Sequence, residues 1–166
     1  ITNYWLEYSA DSTFTTGVVR DTSLIDTIKS VTGLNNSVKY YWRVKAKNQV
    51  DWSVFSSVWN FTTVPPIPIA PTLISPLNNA TNIQNNVLLD WNGVQYASSY
   101  KIQIANDSLF TSIVKDTSSV IQDTLRIRPG ILLANSKYYW RVNATNVSGT
   151  GQWSAVWNFR INPTGI

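Results

Sequence analysis

Nine carboxylates make up the acidic groups of this chain: Glu7, Asp11, Asp21, Asp26, Asp51, Asp90, Asp107, Asp116 and Asp123. Hydrolysis of a glycoside needs two such groups roughly 5–10 Å apart. Most of these aspartates fall in turns or at strand ends, where the side chain bonds its own backbone. The chain has no His and no Cys. That excludes the commonest general base, the usual nucleophilic triads and thiolate metal sites. No Ser-Lys signature stands out, and no Asp-rich loop offers the clustered oxygens that calcium needs. The expectation is no catalytic residue, no metal, no cofactor and no enzymatic activity.

The second chemically able group is the aromatic set, with 8 Trp, 8 Tyr and 5 Phe. Indole and phenol rings stack on sugars when exposed and fill cores when not. Strand periodicity separates the two uses. In Tyr138-Tyr139-Trp140-Arg141-Val142, apolar residues recur at every second position through Ala144. Tyr40-Tyr41-Trp42-Arg43-Val44 and Ala46 repeat the pattern. Alternate strand side chains share a face, so Trp42 and Trp140 are read as interior, and Tyr41 and Tyr139 as outward. Trp91, Trp153 and Trp157 are also assigned to packing. Trp5, Trp52, Tyr41 and Tyr139 remain as candidate ligand-stacking residues. Arg141 is placed within reach of Trp153 or Trp157 as a cation–π partner.

One wet face on each strand points to an antiparallel sandwich. The low charged fraction (13%) and the wealth of Thr, Asn, Ser and Val agree with strands and turns. The positive residues behind the net charge of +4 are scattered, so nucleic acid is not expected as a partner. No apolar run reaches the ~18–20 residues of a membrane-spanning helix. Absence of Cys is compatible with an extracellular bacterial protein.

An internal repeat sets the organisation. Tyr4 to Phe14 aligns with Tyr100 to Phe110 at an offset of 96, and Trp59-Asn60-Phe61 aligns with Trp157-Asn158-Phe159 at an offset of 98. The second copy reads as strands over Pro71 to Leu77, Val87 to Trp91, Ser99 to Ala105, Phe110 to Lys115, Thr124 to Arg128, Lys137 to Asn146 and Gln152 to Ile161. Asn78 to Asn82 reads as a turn, and Trp153, Trp157 and Phe159 as one parity of the last strand. The first copy reads as strands over Asn3 to Ser9, Phe14 to Arg20, Ile25 to Val31, Val38 to Asn48 and Phe55 to Thr63. Nothing in it matches the first two strands of the second copy. Between the copies, Val64 to Pro71 holds four prolines in eight residues, which favours an extended, semi-rigid spacer.

The pattern Leu-x5-Tyr-x-Trp-x-Val-x-Ala-x-Asn-x-x-Gly, from Leu132 through Gly149, resembles the E–F corner and strand F of a fibronectin type III domain. Leu34 and Tyr40 repeat the spacing, with Asp51 in place of the glycine. The resemblance implies an all-β chain of two immunoglobulin-like sandwiches in tandem, the first lacking strands A and B. It implies tyrosine corners at Tyr40 and Tyr138. The expected boundaries are residues 1–64 for the partial domain, 65–71 for the linker and 72–162 for the complete domain.

The Pro-rich spacer, Tyr-Tyr-Trp-Arg-Val and Trp-Asn-Phe together resemble fibronectin type III repeats of bacterial secreted and surface proteins. That implies an extracellular or cell-surface structural and adhesive segment, in a fibre or as a rigid spacer. A carbohydrate- or protein-binding module of a secreted hydrolase is the competing reading. The sequence opens at Ile1-Thr2-Asn3 with no visible signal peptide and is read as a window from a longer array. Expected partners are neighbouring repeats or subunits, one of which could complete the first domain by strand addition, and glycans.

Asp-Ser/Thr followed by an aliphatic residue or Thr occurs at Asp11, Asp26, Asp107 and Asp123. This is similar to a short O-glycosylation sequon of gliding, secretion-rich bacteria, and it nominates Ser12, Thr27, Ser108 and Thr124. Duplication of a good turn would give the same count.

Overall fold

A computed structural model describes residues 3–162, which form thirteen strands. The chain divides into two compact units, Ile1–Pro65 and Pro66–Ile166.

Unit 2 is an immunoglobulin-like sandwich. One sheet takes β5 (Leu73–Ser75), β7 (Leu88–Trp91) and β10 (Thr124–Arg126), in the order β10-β7-β5. The other takes β6 (Ala80–Ile83), β8 (Ser99–Ala105), β9 (Ile113–Val120), β11 (Lys137–Asn146) and β13 (Trp157–Ile161), in the order β6-β13-β11-β8-β9. The short β12 (Gly149–Thr150) hairpins onto β11. The alternating series of β11 does what strand geometry dictates. Tyr138, Trp140, Val142 and Ala144 are buried against Leu73, Val87, Leu89, Trp91 and Ile127 of the facing layer. Trp91 meets Tyr100 edge-to-face at 5.3 Å between ring centroids.

Several strand readings need correction here. The strand read over Phe110 to Lys115 runs instead over Ile113–Val120, and its counterpart read over Phe14 to Arg20 runs over Val19–Leu24, because Phe110 and Phe14 sit at positive φ in the turns that precede them. Asn78 to Asn82 is only partly a turn. Ala80–Ile83 forms β6 and pairs in parallel with β13, Phe159 opposite Ala80. The last strand begins at Trp157, not Gln152. Over 151–156 the chain still follows β11, but less regularly. The Ser154 N–H donates to Val142 O at 2.8 Å, and the Val142 N–H donates to Ser154 Oγ at 3.0 Å. A hydroxyl thus stands in for a missing carbonyl. The break turns Trp153 to the outer face, beside Arg141. Trp157 and Phe159 pair with Trp140 and Tyr138 on the inner parity.

Unit 1 is a single sheet. It holds β1 (Asn3–Ser9), β2 (Val19–Leu24), β3 (Lys39–Lys47) and β4 (Trp59–Thr62), in the order β2-β1-β3-β4. These correspond to β8, β9, β11 and β13 of unit 2. No described residue forms the counterpart of β5, β6 or β7. The strand expected over Ile25 to Val31 is absent, and this stretch runs as irregular chain. Its unit 2 counterpart, β10, pairs with β7. With no β7 equivalent among the described residues, Ile25 to Val31 joins no ladder there.

The linker boundary also shifts. Residues 66–71 belong to unit 2. The Asn146 side-chain amide donates to Pro66 O at 2.7 Å, and Ile67 lies against Gly149. Gly151 passes so near that a Cβ there would sit 2.1 Å from Pro68 O. The proline run is therefore fixed to the β11–β12 hairpin.

Candidate functional site

The outer face of each main sheet carries the densest polar chemistry of its unit. In unit 1 register places Glu7 between Arg20 on β2 and Arg43 on β3. Arg20 Nε donates to Glu7 Oε1 at 2.9 Å. Arg43 donates to Oε2 through Nε at 2.9 Å and Nη2 at 2.7 Å. Glu7 is only 3% exposed. Burial pushes its pKa up, but the hydrogen bonds and charges of Arg43 and Arg20 outweigh that and hold it below the ordinary value. A general acid needs the opposite shift. Glu7 is fixed as an anion and serves as an anchor.

Arg43 continues outward. Its guanidinium lies 4.3 Å from the Phe14 ring centroid and 4.1 Å from that of Phe55. Lys45 Nζ then sits 4.9 Å from Phe55, 4.0 Å from Trp5 and 5.3 Å from Trp52. The result is a ladder of alternating cations and rings across the face. Trp5 meets Trp52 and Phe55 edge-to-face at 5.7 and 6.2 Å. Trp5 and Trp52 are half-buried, and the Trp5 indole N–H is buried without a partner. Lys45 stands over both indoles, where a sugar ring would otherwise stack.

Unit 2 rebuilds the device with different charges. Gln103 takes the place of Glu7, and Asp116 that of Arg20. Arg141 Nε and Nη2 donate to Gln103 Oε1 at 3.0 and 2.7 Å, and Gln103 Nε2 donates to Asp116 Oδ2 at 3.0 Å. The neutral amide turns its oxygen to the cation and its nitrogen to the anion. Arg141 is clamped between Phe110 at 3.9 Å and Trp153 at 4.3 Å. Burial nudges its pKa down, opposed by the Asp116 charge; an arginine stays charged regardless.

Tyr41 and Tyr139 are half-buried on this outer face, with Lys39 Nζ 5.4 Å from one ring centroid and Lys137 Nζ 5.0 Å from the other. The four stacking candidates do not converge: Trp5 and Trp52 are neighbours in unit 1, while Tyr41 pairs with Ser9 at the other end of the same strands. Tyr139 belongs to unit 2. Tyr40 Oη accepts the Asn35 N–H at 3.1 Å and Tyr138 Oη the Leu133 N–H at 2.8 Å, which is the bond of a tyrosine corner.

The four hydroxyl candidates have different settings. Ser12 and Ser108 are exposed on equivalent loops. There Asp11 accepts from the N–H groups of Thr13, Thr15 and Thr16 at 2.8, 3.0 and 3.0 Å. Asp107 accepts from those of Leu109, Thr111 and Ser112. Phe14 and Phe110 follow at φ of 58° and 59°, a left-handed turn that disfavours bulky side chains. Each aspartate thus holds a strained loop that inserts a Phe into the ladder. Hydroxyl bonds from Thr13 and Thr15 pull the Asp11 pKa far below the carboxylate range, and the amides of Ser112 and Thr111 lower that of Asp107. Thr27 is exposed, and Thr124 is half-buried on β10 opposite Asp90.

Sequence reasoning missed Phe14, Phe55, Lys45 and Phe110 as ladder members and Glu7 and Gln103 as anchors. The signal was present: Glu7, Arg43 and Lys45 share the outward parity, and Phe14 and Phe110 share the repeat. No group of three or more metal-ligating side chains occurs among the described residues.

No protein-family model matches this sequence, and no characterised protein matched it. Among solved structures, the chain is similar to the crystal structure of chicken CNTN1 FN1–FN3 domains, with TM-score 0.43 and 16% identity. The match covers 96% of this chain and 54% of that one, so this chain spans about half the length of its neighbour.

Proposed function

We propose that the chain is a non-catalytic structural and adhesive repeat segment of a long extracellular bacterial protein, serving as a rigid spacer in a fibre or surface filament. One observation carries this reading: what the two copies share is scaffold. Both rebuild the cation–ring clamp and the tyrosine corner, and in both a serine hydroxyl fills the edge, Ser56 Oγ accepting the Val44 N–H at 3.1 Å as Ser154 Oγ accepts that of Val142 at 3.0 Å; the polar groups of the clamp are turned onto one another. Glu7 is held ionised instead of poised for proton transfer. The anchored proline run supports stiffness at the start of unit 2. The bacterial setting rests on the Tyr-Tyr-Trp-Arg-Val and Trp-Asn-Phe resemblance. Ser12, Thr27 and Ser108 offer exposed hydroxyls as O-glycan acceptors in that setting.

The test is mechanical and chemical. Pulled from its ends, the chain should show a cooperative rupture of unit 2, and it should bind nothing on a glycan array. Retention of a glycan, lost on Trp52→Ala, would overturn the spacer reading in favour of a ligand-binding module.

A further inference from the structure

Asn92-Gly93 is the one Asn-Gly step in the chain. The backbone nitrogen of the residue after an asparagine can attack the side-chain carbonyl carbon, and a glycine there puts no Cβ in the way. The step lies just past the end of β7, in the turn that carries unit 2 from one sheet to β8 of the other. Both residues are exposed. Among the described residues, neither the Asn92 side chain nor the Gly93 N–H enters a hydrogen bond. Chain neighbours aside, a Cβ at Gly93 would meet nothing nearer than Asp123 Oδ2, at 3.9 Å, so the approach is open.

Other asparagines of unit 2 are tied down. The Asn146 side-chain amide donates to Pro66 O, that of Asn158 to Asn78 and Asn79, and that of Asn106 to Ser112 Oγ. Around the Asn-Gly step the anchors are in the backbone. The Asn92 N–H donates to Thr72 O at 2.8 Å, which continues the β5–β7 ladder. The Val94 N–H donates to Tyr100 Oη at 2.9 Å. Tyr100 is only 6% exposed and packs edge-to-face on Trp91. Gly93 is thus the free residue between a bond to one sheet and a bond to a buried hydroxyl of the other.

We propose that Asn92-Gly93 is a self-modification site, where the folded chain converts Asn92 to aspartate and isoaspartate and so loosens the corner between the sheets of unit 2. The Gly93 backbone nitrogen loses its proton to hydroxide and bonds to Asn92 Cγ. The Cγ–Nδ2 bond breaks, and the nitrogen takes a proton from water and leaves as ammonia. Water then opens the cyclic imide. Attack at Cγ gives aspartate; attack at the main-chain carbonyl routes the chain through Cγ and gives isoaspartate. The sum consumes one water and releases one ammonia, with no change of oxidation state. Isoaspartate adds a carbon to the main chain between the two anchors. The Asn92 N–H is held in register with the ladder, so the solitary Val94 bond is the one given up, leaving the buried Tyr100 hydroxyl without its donor. The inference does not depend on the spacer reading.

The experiment ages the full, folded chain in heavy-oxygen water at neutral and mildly alkaline pH. Peptide mass spectrometry then follows every asparagine, with electron-based fragmentation to separate aspartate from isoaspartate. Asn92 should convert ahead of all others, including the Asn-Ser steps at Asn36 and Asn135, with both products labelled by solvent oxygen and a faster rate at the higher pH. Gly93→Ala, whose added methyl has room in the fold, should slow conversion at least about tenfold by obstructing ring closure. In the aged chain the Val94 amide should exchange faster than in the fresh one. Asn92→Gln keeps a side-chain amide but places its carbonyl one methylene too far for the same ring, and its Val94 amide should stay protected through the same ageing. Persistence of Asn92 while other asparagines convert would overturn the proposal, as would conversion confined to the denatured chain or an unchanged rate in Gly93→Ala. Unaltered Val94 exchange after conversion would overturn the loosening of the corner.

Discussion

Phe159 is fully buried and Phe61, at the same place in the other unit, is 41% exposed. The strands around them are nearly identical in sequence, so the difference lies in what faces them. Unit 2 closes its main sheet with β5, β7 and β10; unit 1 has no second sheet among its described residues. The outer faces differ in another way. Unit 1 centres its clamp on a buried anion between two arginines, and unit 2 on a neutral amide between an arginine and an aspartate. A buried carboxylate is tolerable only when its charge is matched and its oxygens are bonded, as Arg20 and Arg43 arrange. The comparison teaches that the outer clamp persists where the inner core does not. The clamp is made within one sheet by adjacent strands, whereas the core needs two layers.

The largest expected contrast is Trp140→Ala against Trp42→Ala. The first empties a closed core and should cost roughly 3–5 kcal/mol, while the second trims an open face and should cost less than about half of that. Denaturant titration followed by hydrogen exchange in each unit would compare them, and equal costs would break the inner-face comparison. The next is Glu7→Gln against Gln103→Glu. Glu7→Gln leaves Arg20 and Arg43 facing a neutral group and should destabilise unit 1 by about 1–3 kcal/mol. Gln103→Glu gains Arg141 but meets Asp116, so a smaller change is expected, read from the same titrations.

The smallest contrast is acid sensitivity. In unit 1, burial opposes but the Arg43 and Arg20 bonds prevail to lower Glu7 from 4.5, and hydroxyl bonds lower Asp11. The Lys29 ammonium, with Ser23, pulls Asp21 from 3.8 down to about 2. Depressed folded-state values contribute stability above the unfolded pKa that is lost as pH falls through the folded one. Between pH 4.5 and 2, unit 1, with Glu7, Asp11 and Asp21 lowered, should therefore lose protection before unit 2, where Asp107 is lowered. Simultaneous loss in hydrogen exchange would contradict the charge comparison.

Much of this was readable from spacing. The Tyr-x-Trp-x-Val alternation located β3 and β11, and the offsets of 96 and 98 paired the units strand for strand. Three features escaped for one kind of reason. Ile25 to Val31 has strand-like composition but lacks a neighbour. Asn78 to Asn82 read as a turn, yet Ala80–Ile83 becomes β6 because β13, distant in sequence, offers it an edge. Trp153 was assigned to the wrong parity because a serine hydroxyl interrupts the ladder between β11 and β13. The acidic loops divide likewise: Asp11 and Asp107 were expected in turns, but their role in pushing Phe14 and Phe110 into the clamps depends on the folded face.

Residue order alone determined which side chains of each strand share a face, since strand geometry is local and has a period of two. Only the tertiary structure decided which faces are covered, which edges are paired and which charges meet. Those outcomes depend on segments far apart in the chain being brought together, and two stretches as alike as 40–44 and 138–142 can therefore end in different surroundings.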